Sequence, residues 1–172
     1  MAVPDRTPSS YIVVGVIQKQ ADAVIIAAAE FARRFDAAIV LASVDTSSYA
    51  VDERADGTVM AMPFNPDMPV MIEETFDPDL RARLASLLDP RGVQWSSRAL
   101  AGDPAKALGE LADSLDALVI IVGTREPTIR QGIREFFSGS VAANLAHRQR
   151  RPVVVIPQNP VGFEGRLPWT LE

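Results

Sequence analysis

The residues best equipped for chemistry fall in one stretch, residues 123–140. Gly123 follows the all-apolar run Leu118-Val-Ile-Ile-Val122, and Gly139-Ser140 opens a later stretch with helical spacing. A glycine at a strand end lets the backbone turn sharply and approach a ligand. Free amides at a helix start, a serine hydroxyl and the helix dipole together suit a phosphate. The same residues serve equally as a turn glycine and a serine N-cap. Arg125, Arg130 and Arg134 lie in this segment and offset negative charge, or form a solvated face. Glu126 brings a negative charge to the path of any phosphate.

Other reactive residues are sparse. His147 stands alone beside Arg148, Gln149, Arg150 and Arg151, where the negative end of a helix dipole explains it better than general-base work. Asp45, Asp52, Glu53 and Asp56 read as a solvated acidic stretch rather than a metal site. No Walker loop, dinucleotide fingerprint or nucleophile elbow occurs. With no cysteine, disulfides, cysteine–zinc sites and thiol nucleophiles are excluded. The formal charge of -5 argues against a nucleic-acid partner or an anionic membrane, which need clustered Lys and Arg. No apolar run approaches the roughly 18 residues of a membrane span. The first ten residues have no signal-peptide logic, so the expectation is a soluble cytoplasmic protein.

These residues need a scaffold, and hydrophobic patterning supplies one. Residues 11–17, 37–44, 118–122 and 153–156 are apolar runs, mostly rich in β-branched residues, and read as buried parallel strands. Residues 93–100 alternate apolar and polar, as a half-covered edge strand does. Helical spacing appears in Val24, Ala27, Ala28, Phe31 and Phe35, then in residues 79–89. It returns after Asp103-Pro104, a cap and first-turn pair, with Ala105, Leu108, Leu111, Ala112 and Leu115 on the inner stripe. A last helix runs from about Gly139 to Arg148. From Asp45 to Pro78 the pattern dissolves amid prolines, yet Met60, Met62, Phe64, Met68, Val70 and Met71 make it unusually apolar. It reads as a long loop, either a packed flap or a lid.

Strands alternating with helices predict one α/β domain over residues 11–157, with irregular tails at 1–10 and 158–172. The sheet is an open, doubly wound, five-stranded parallel one of strand order 3-2-1-4-5 with helices on both faces. Ligands of such sheets bind where the winding reverses, here between the ends of the first and fourth strands. Val16, Ile17 and Gln18 stand on one side of that crevice, and Gly123, Thr124 and Arg125 on the other.

Gly123-Thr-Arg-Glu, Phe-Ser-Gly-Ser-Val-Ala and Arg-Pro-Val-Val-Val-Ile-Pro157 resemble the C-terminal half of the universal stress protein family. Gly102-Asp-Pro-Ala-Lys-Ala-Leu and residues 114–123 agree with it. The resemblance implies a homodimer and, in one branch, ATP or AMP, with Mg when the ligand is a triphosphate. It implies a stress-response or regulatory role without fast catalysis. That branch carries Gly-x-x-Gly, nine residues, then Gly-Ser or Gly-Thr, and an aspartate ending the first strand. Here Gly123 and Gly139-Ser140 match, Glu126 replaces the second glycine, the spacing is longer, and Ile17 stands at the aspartate position. The nucleotide residues so implied are Val16, Ile17, Val44, Gly123, Thr124, Arg125, Gly139, Ser140 and Val141; no catalytic residue is implied. A non-nucleotide-binding interaction module of the same fold is the alternative. For the dimer, the apolar edge Val153–Ile156, without inward-pointing charge, predicts pairing through the last strand.

Overall fold

The computed structural model describes residues 8–19, 21–54, 58–65, 67, 70–124 and 141–158. In chain order it forms β1 (Tyr11–Val16), α1 (Asp22–Phe35), β2 (Ala38–Asp45), β3 (Ser48–Glu53), β4 (Val59–Pro63) and β5 (Ile72–Glu74). Then come α2 (Pro78–Leu88), a 3-10 turn (Asp89–Arg91), β6 (Trp95–Ala101), α3 (Pro104–Ser114), β7 (Val119–Gly123), α4 (Val141–Arg148) and β8 (Val153–Ile156).

β6, β2, β1, β7 and β8 lie side by side in that order, every neighbouring pair parallel. Counted among themselves, these strands have the order 3-2-1-4-5. Side chains on successive residues of a strand point to opposite faces, so each apolar run feeds two cores. Ile12, Val14, Ile39, Leu41, Val119 and Ile121 pack under α1 and α2. Val13, Val40, Ala42, Ile120 and Val122 pack under α3 and α4. This is why these strands carry unbroken Val/Ile/Leu/Ala runs. β6 is an edge, and only its C-terminal half is buried.

Caps and close approaches set the helices. Asp77 and Asp103 accept the Leu80 and Lys106 amides at 2.7 and 2.8 Å, each with a proline in the first turn behind it. Gly15 of the central strand lies under Leu108 of α3; a Cβ there would meet Leu108 Cδ1 at 3.0 Å. The end of α4 is held through Arg151, whose guanidinium reaches Asp116 at 2.8 Å, Asp113 at 3.4 Å and the Ala117 carbonyl at 2.9 Å.

Two sequence expectations change. Residues 45–78 are not a patternless loop. They hold the three-stranded antiparallel sheet β3-β4-β5, paired Tyr49 to Met62, Ala50 to Ala61 and Ala61 to Ile72. Pro63 ends a strand and Pro78 opens a helix, so prolines that read as disruption punctuate short elements instead. The inward side of this sheet is anchored by Val59 and Ala61, buried against Ala101. The second change concerns α1, whose buried stripe is Val24, Ile25, Ala28, Ala29 and Ala32. Phe35 is 54% exposed, and its ring stacks on Phe31 at the helix margin. Several rotations of an Ala-rich helix offer an apolar stripe, and packing against the sheet and α2 buries the one that carries Val24 and Ile25. Ile25→Ala is therefore expected to cost about 2–5 kcal/mol, and Phe35→Ala about 1 kcal/mol or less, by urea unfolding followed by circular dichroism.

Candidate functional site

The crevice arises where β1 and β7 part company. The chain leaves β1 toward α1 on one face, and α4, which follows β7, covers the other. Adjacent strands whose connections diverge leave an opening beyond their carboxyl ends. Val16, Ile17, Gln18, Gly123 and Thr124 all stand at this opening, with Val44 one strand further along, beside the pair Val16–Ser43.

The side chains there differ in what they offer. Val16 is buried in the core under α1, and Val44 is partly buried in the core under α3. Both present backbone, not side chain, to the opening. Ile17 is 59% exposed and supplies the apolar surface. Val141 packs partly into the core beneath α4. Gly123 pairs with Ile156 of β8, and the Thr124 amide donates to the Ile156 carbonyl at 2.9 Å. Arg125, Glu126, Gly139 and Ser140 lie outside the described residues.

Gln158, assigned from sequence to the tail, belongs to the rim. Its Nε2 donates to the Thr124 carbonyl at 2.6 Å, and its amide donates to Thr124 Oγ1 at 3.0 Å. The Ala21 amide, at the start of α1, donates to Gln158 Oε1 at 3.4 Å. One carboxamide thus ties the end of β7 to the start of α1, a helix with no side-chain N-cap of its own. Nothing in the spacing signalled this, because the bonds join positions 34 and 137 residues apart.

A second polar cluster flanks the end of β2. The Asp45 carboxylate accepts the Ser47 amide at 3.0 Å, the Ser47 hydroxyl at 2.8 Å and the Ser48 hydroxyl. Its carbonyl accepts the amide of Gly102, whose φ of 106° is open to glycine and strained for other residues. Burial pushes the Asp45 carboxyl up, but the bonds from Ser48 and Ser47 outweigh it and hold the group below its usual range. Burial and then the charge of Asp45 push Glu74 of β5 up. Asp77 is held down first by the Leu80 amide and then by the Gln18 side chain, which links the end of β1 to the start of α2. Among the described residues, no three His, Asp or Glu side chains gather as metal ligands, and no helix is long and apolar enough to cross a membrane. His147 is exposed on α4.

The described residues here offer one exposed apolar side chain, Ile17, and backbone groups at the ends of β1 and β7. The sequence profile described as the universal stress protein family matches residues 10–157. The chain belongs to the universal stress protein family. Solved structures share its fold, among them three universal stress proteins. A universal stress protein in complex with cAMP is 20% identical, with TM-score 0.58, over 89% of this chain and 100% of that one. A universal stress protein from Archaeoglobus fulgidus is 19% identical, with TM-score 0.57, over 86% and 93%. A universal stress protein from Archaeoglobus fulgidus in complex with dAMP is 21% identical, with TM-score 0.54, over 87% and 99%. At such identities the likeness establishes the architecture alone. No curated protein sequence matches the chain significantly.

The raised Glu74 gives a signed expectation. Its folded pKa lies above its unfolded one, so the ionised form weakens the fold at neutral pH. That penalty lifts as pH falls through the folded pKa and is gone below the ordinary carboxylate value. Glu74→Gln should raise the thermal midpoint at pH 7, and the gain should vanish under acid; scanning calorimetry across pH reads both.

Proposed function

We propose that this universal stress protein is a cytoplasmic homodimer that binds an adenine nucleotide and acts in a stress response as a regulator rather than a catalyst. The observation that carries the reading is the crevice at the β1/β7 divergence, which holds Ile17, Gly123 and Thr124 together. The family's relatives with cAMP and dAMP support the ligand class. The base rests on Ile17 and the backbone of Val16 and Val44. The phosphate is assigned to the amides of Gly139, Ser140 and Val141, together with Gly123, Thr124 and Arg125.

The residues fit the base better than the rest of the ligand. Ile17 offers no hydrogen bond to a ribose, and Glu126 opposes a triphosphate. A monophosphate such as AMP therefore suits the site better than ATP with Mg, which would supply charge neutralisation when bound. Isothermal titration with AMP, ADP and ATP is expected to give saturable heat for AMP at millimolar ligand or below, weakened by Ser140→Ala. No heat with any of the three removes the nucleotide reading.

The apolar, exposed Ile17 at the family's aspartate position favours a second reading. In it the glycines serve only the fold, and the chain is an interaction module without nucleotide.

For the dimer, β8 is an edge of the parallel sheet, and Val155 on it is 44% exposed. An apolar edge of this kind invites pairing with a second copy. Sedimentation equilibrium at micromolar concentration should show a dimer, and Val155→Lys should shift it toward monomer. A wild-type monomer would count against β8 pairing.

A further inference from the structure

The small antiparallel sheet has a second face that no other described element covers. Val59 and Ala61 point inward to Ala101. On the opposite side Tyr49 stands across from Met62, its hydroxyl 3.0 Å from the Met62 sulfur, and Met60 stands across from Asp52 and Glu73. The Phe64 ring lies 5.6 Å from that of Tyr49. Tyr49 is 42% and Phe64 62% exposed, while Met60 and Met62 are half-buried. Such grouped aromatic and methionine side chains in solvent mark an interaction surface more often than chance scatter. Methionine-rich surfaces repack around varied apolar partners.

Charge says what the partner is like. Residues 48–74 carry Asp52, Glu53, Asp56, Asp67, Glu73 and Glu74 against Arg54 alone. That is a formal charge of -5, equal to that of the whole chain, so the rest of the chain is balanced. Four of the five methionines lie in the same stretch. Arg54 is itself engaged by Glu73 at 3.4 Å. Of the acidic residues, Asp52 and Glu73 stand on the outer face, opposite Met60 and beside the exposed Tyr49 and Phe64. A second copy docked face to face would bring two such charges together, which disfavours it. Residues 159–172 carry Glu164 and Glu172 against Arg166 and offer no complement either.

We propose that the outer face of the β3-β4-β5 sheet docks a cationic, apolar peptide segment of a partner protein. Its apolar residues cover Tyr49, Met60, Met62 and Phe64, and its Lys or Arg residues meet Asp52 and Glu73. This surface is distinct from the nucleotide crevice and does not depend on it.

The test uses the full chain and a fluorescein-labelled twelve-residue peptide of alternating Leu and Lys, read by fluorescence anisotropy. Saturable binding is expected, weakened about tenfold or more on going from low to physiological ionic strength. A Leu/Glu peptide and a Lys/Gly peptide should each bind at least about tenfold more weakly. Tyr49→Ser with Phe64→Ser should weaken binding by a similar factor while the thermal midpoint and sedimentation stay as in the wild type. Phe64→Leu, which keeps apolar surface, should retain most of the binding. Absence of binding, equal binding of the Lys/Gly peptide, or unchanged binding by the double serine variant would overturn the proposal. Loss of a dimer in that variant would do so too, since a second copy would then be the occupant.

Discussion

A parallel strand can reach its neighbour only by crossing a face of the sheet, and that constraint shapes everything of functional interest here. The connection after β1 takes one face, and that after β7 is covered by α4 on the other. The crevice is therefore a consequence of topology before any residue lining it is chosen. What the residues decide is what the opening accepts. Ile17, Gly123 and Thr124 make it apolar at one lip and rich in backbone groups at the other.

The same constraint explains the supporting bonds. The start of α1 lacks a side-chain cap, and Gln158 meets its Ala21 amide while also holding the Thr124 carbonyl. Gln18 reaches from the end of β1 to the cap of α2. Asp45 closes the end of β2 onto Ser47, Ser48 and Gly102. The ends of β1, β2 and β7 are thus each held by a polar side chain, Gln18, Asp45 and Gln158 in turn. Asp45 also launches the small sheet, whose Glu74 returns close enough to feel its charge. The parallel domain and the antiparallel addition are joined through this one acidic turn and the buried contact of Val59 and Ala61 with Ala101.

Much of the scaffold was legible in the residues. Unbroken Val/Ile/Leu/Ala runs mark strands buried on both faces, and the Asp103-Pro104 pair marks a helix start; both signals are local. The β3-β4-β5 sheet was not legible, because its strands are short, irregularly spaced and separated by prolines, and its stability comes from pairing across chain separations that periodicity cannot see. Helical spacing points the stripe of α1 toward Phe35, which the structure leaves exposed, for a related reason. In a helix rich in alanine, which side faces inward depends on packing against residues distant in the chain.

By itself the sequence determined the five-stranded parallel sheet with its strand order and the family, since these follow from pattern and spacing along the chain. Only the tertiary structure decided that Val16 and Val44 turn their side chains into opposite cores and leave Ile17 exposed at the opening. It alone recruited Gln158 to the rim and gathered Tyr49, Met62 and Phe64 onto one face. The reason is the same in each case: these relations join residues distant in the chain, and burial and pairing across that distance exist only once the sheets have formed.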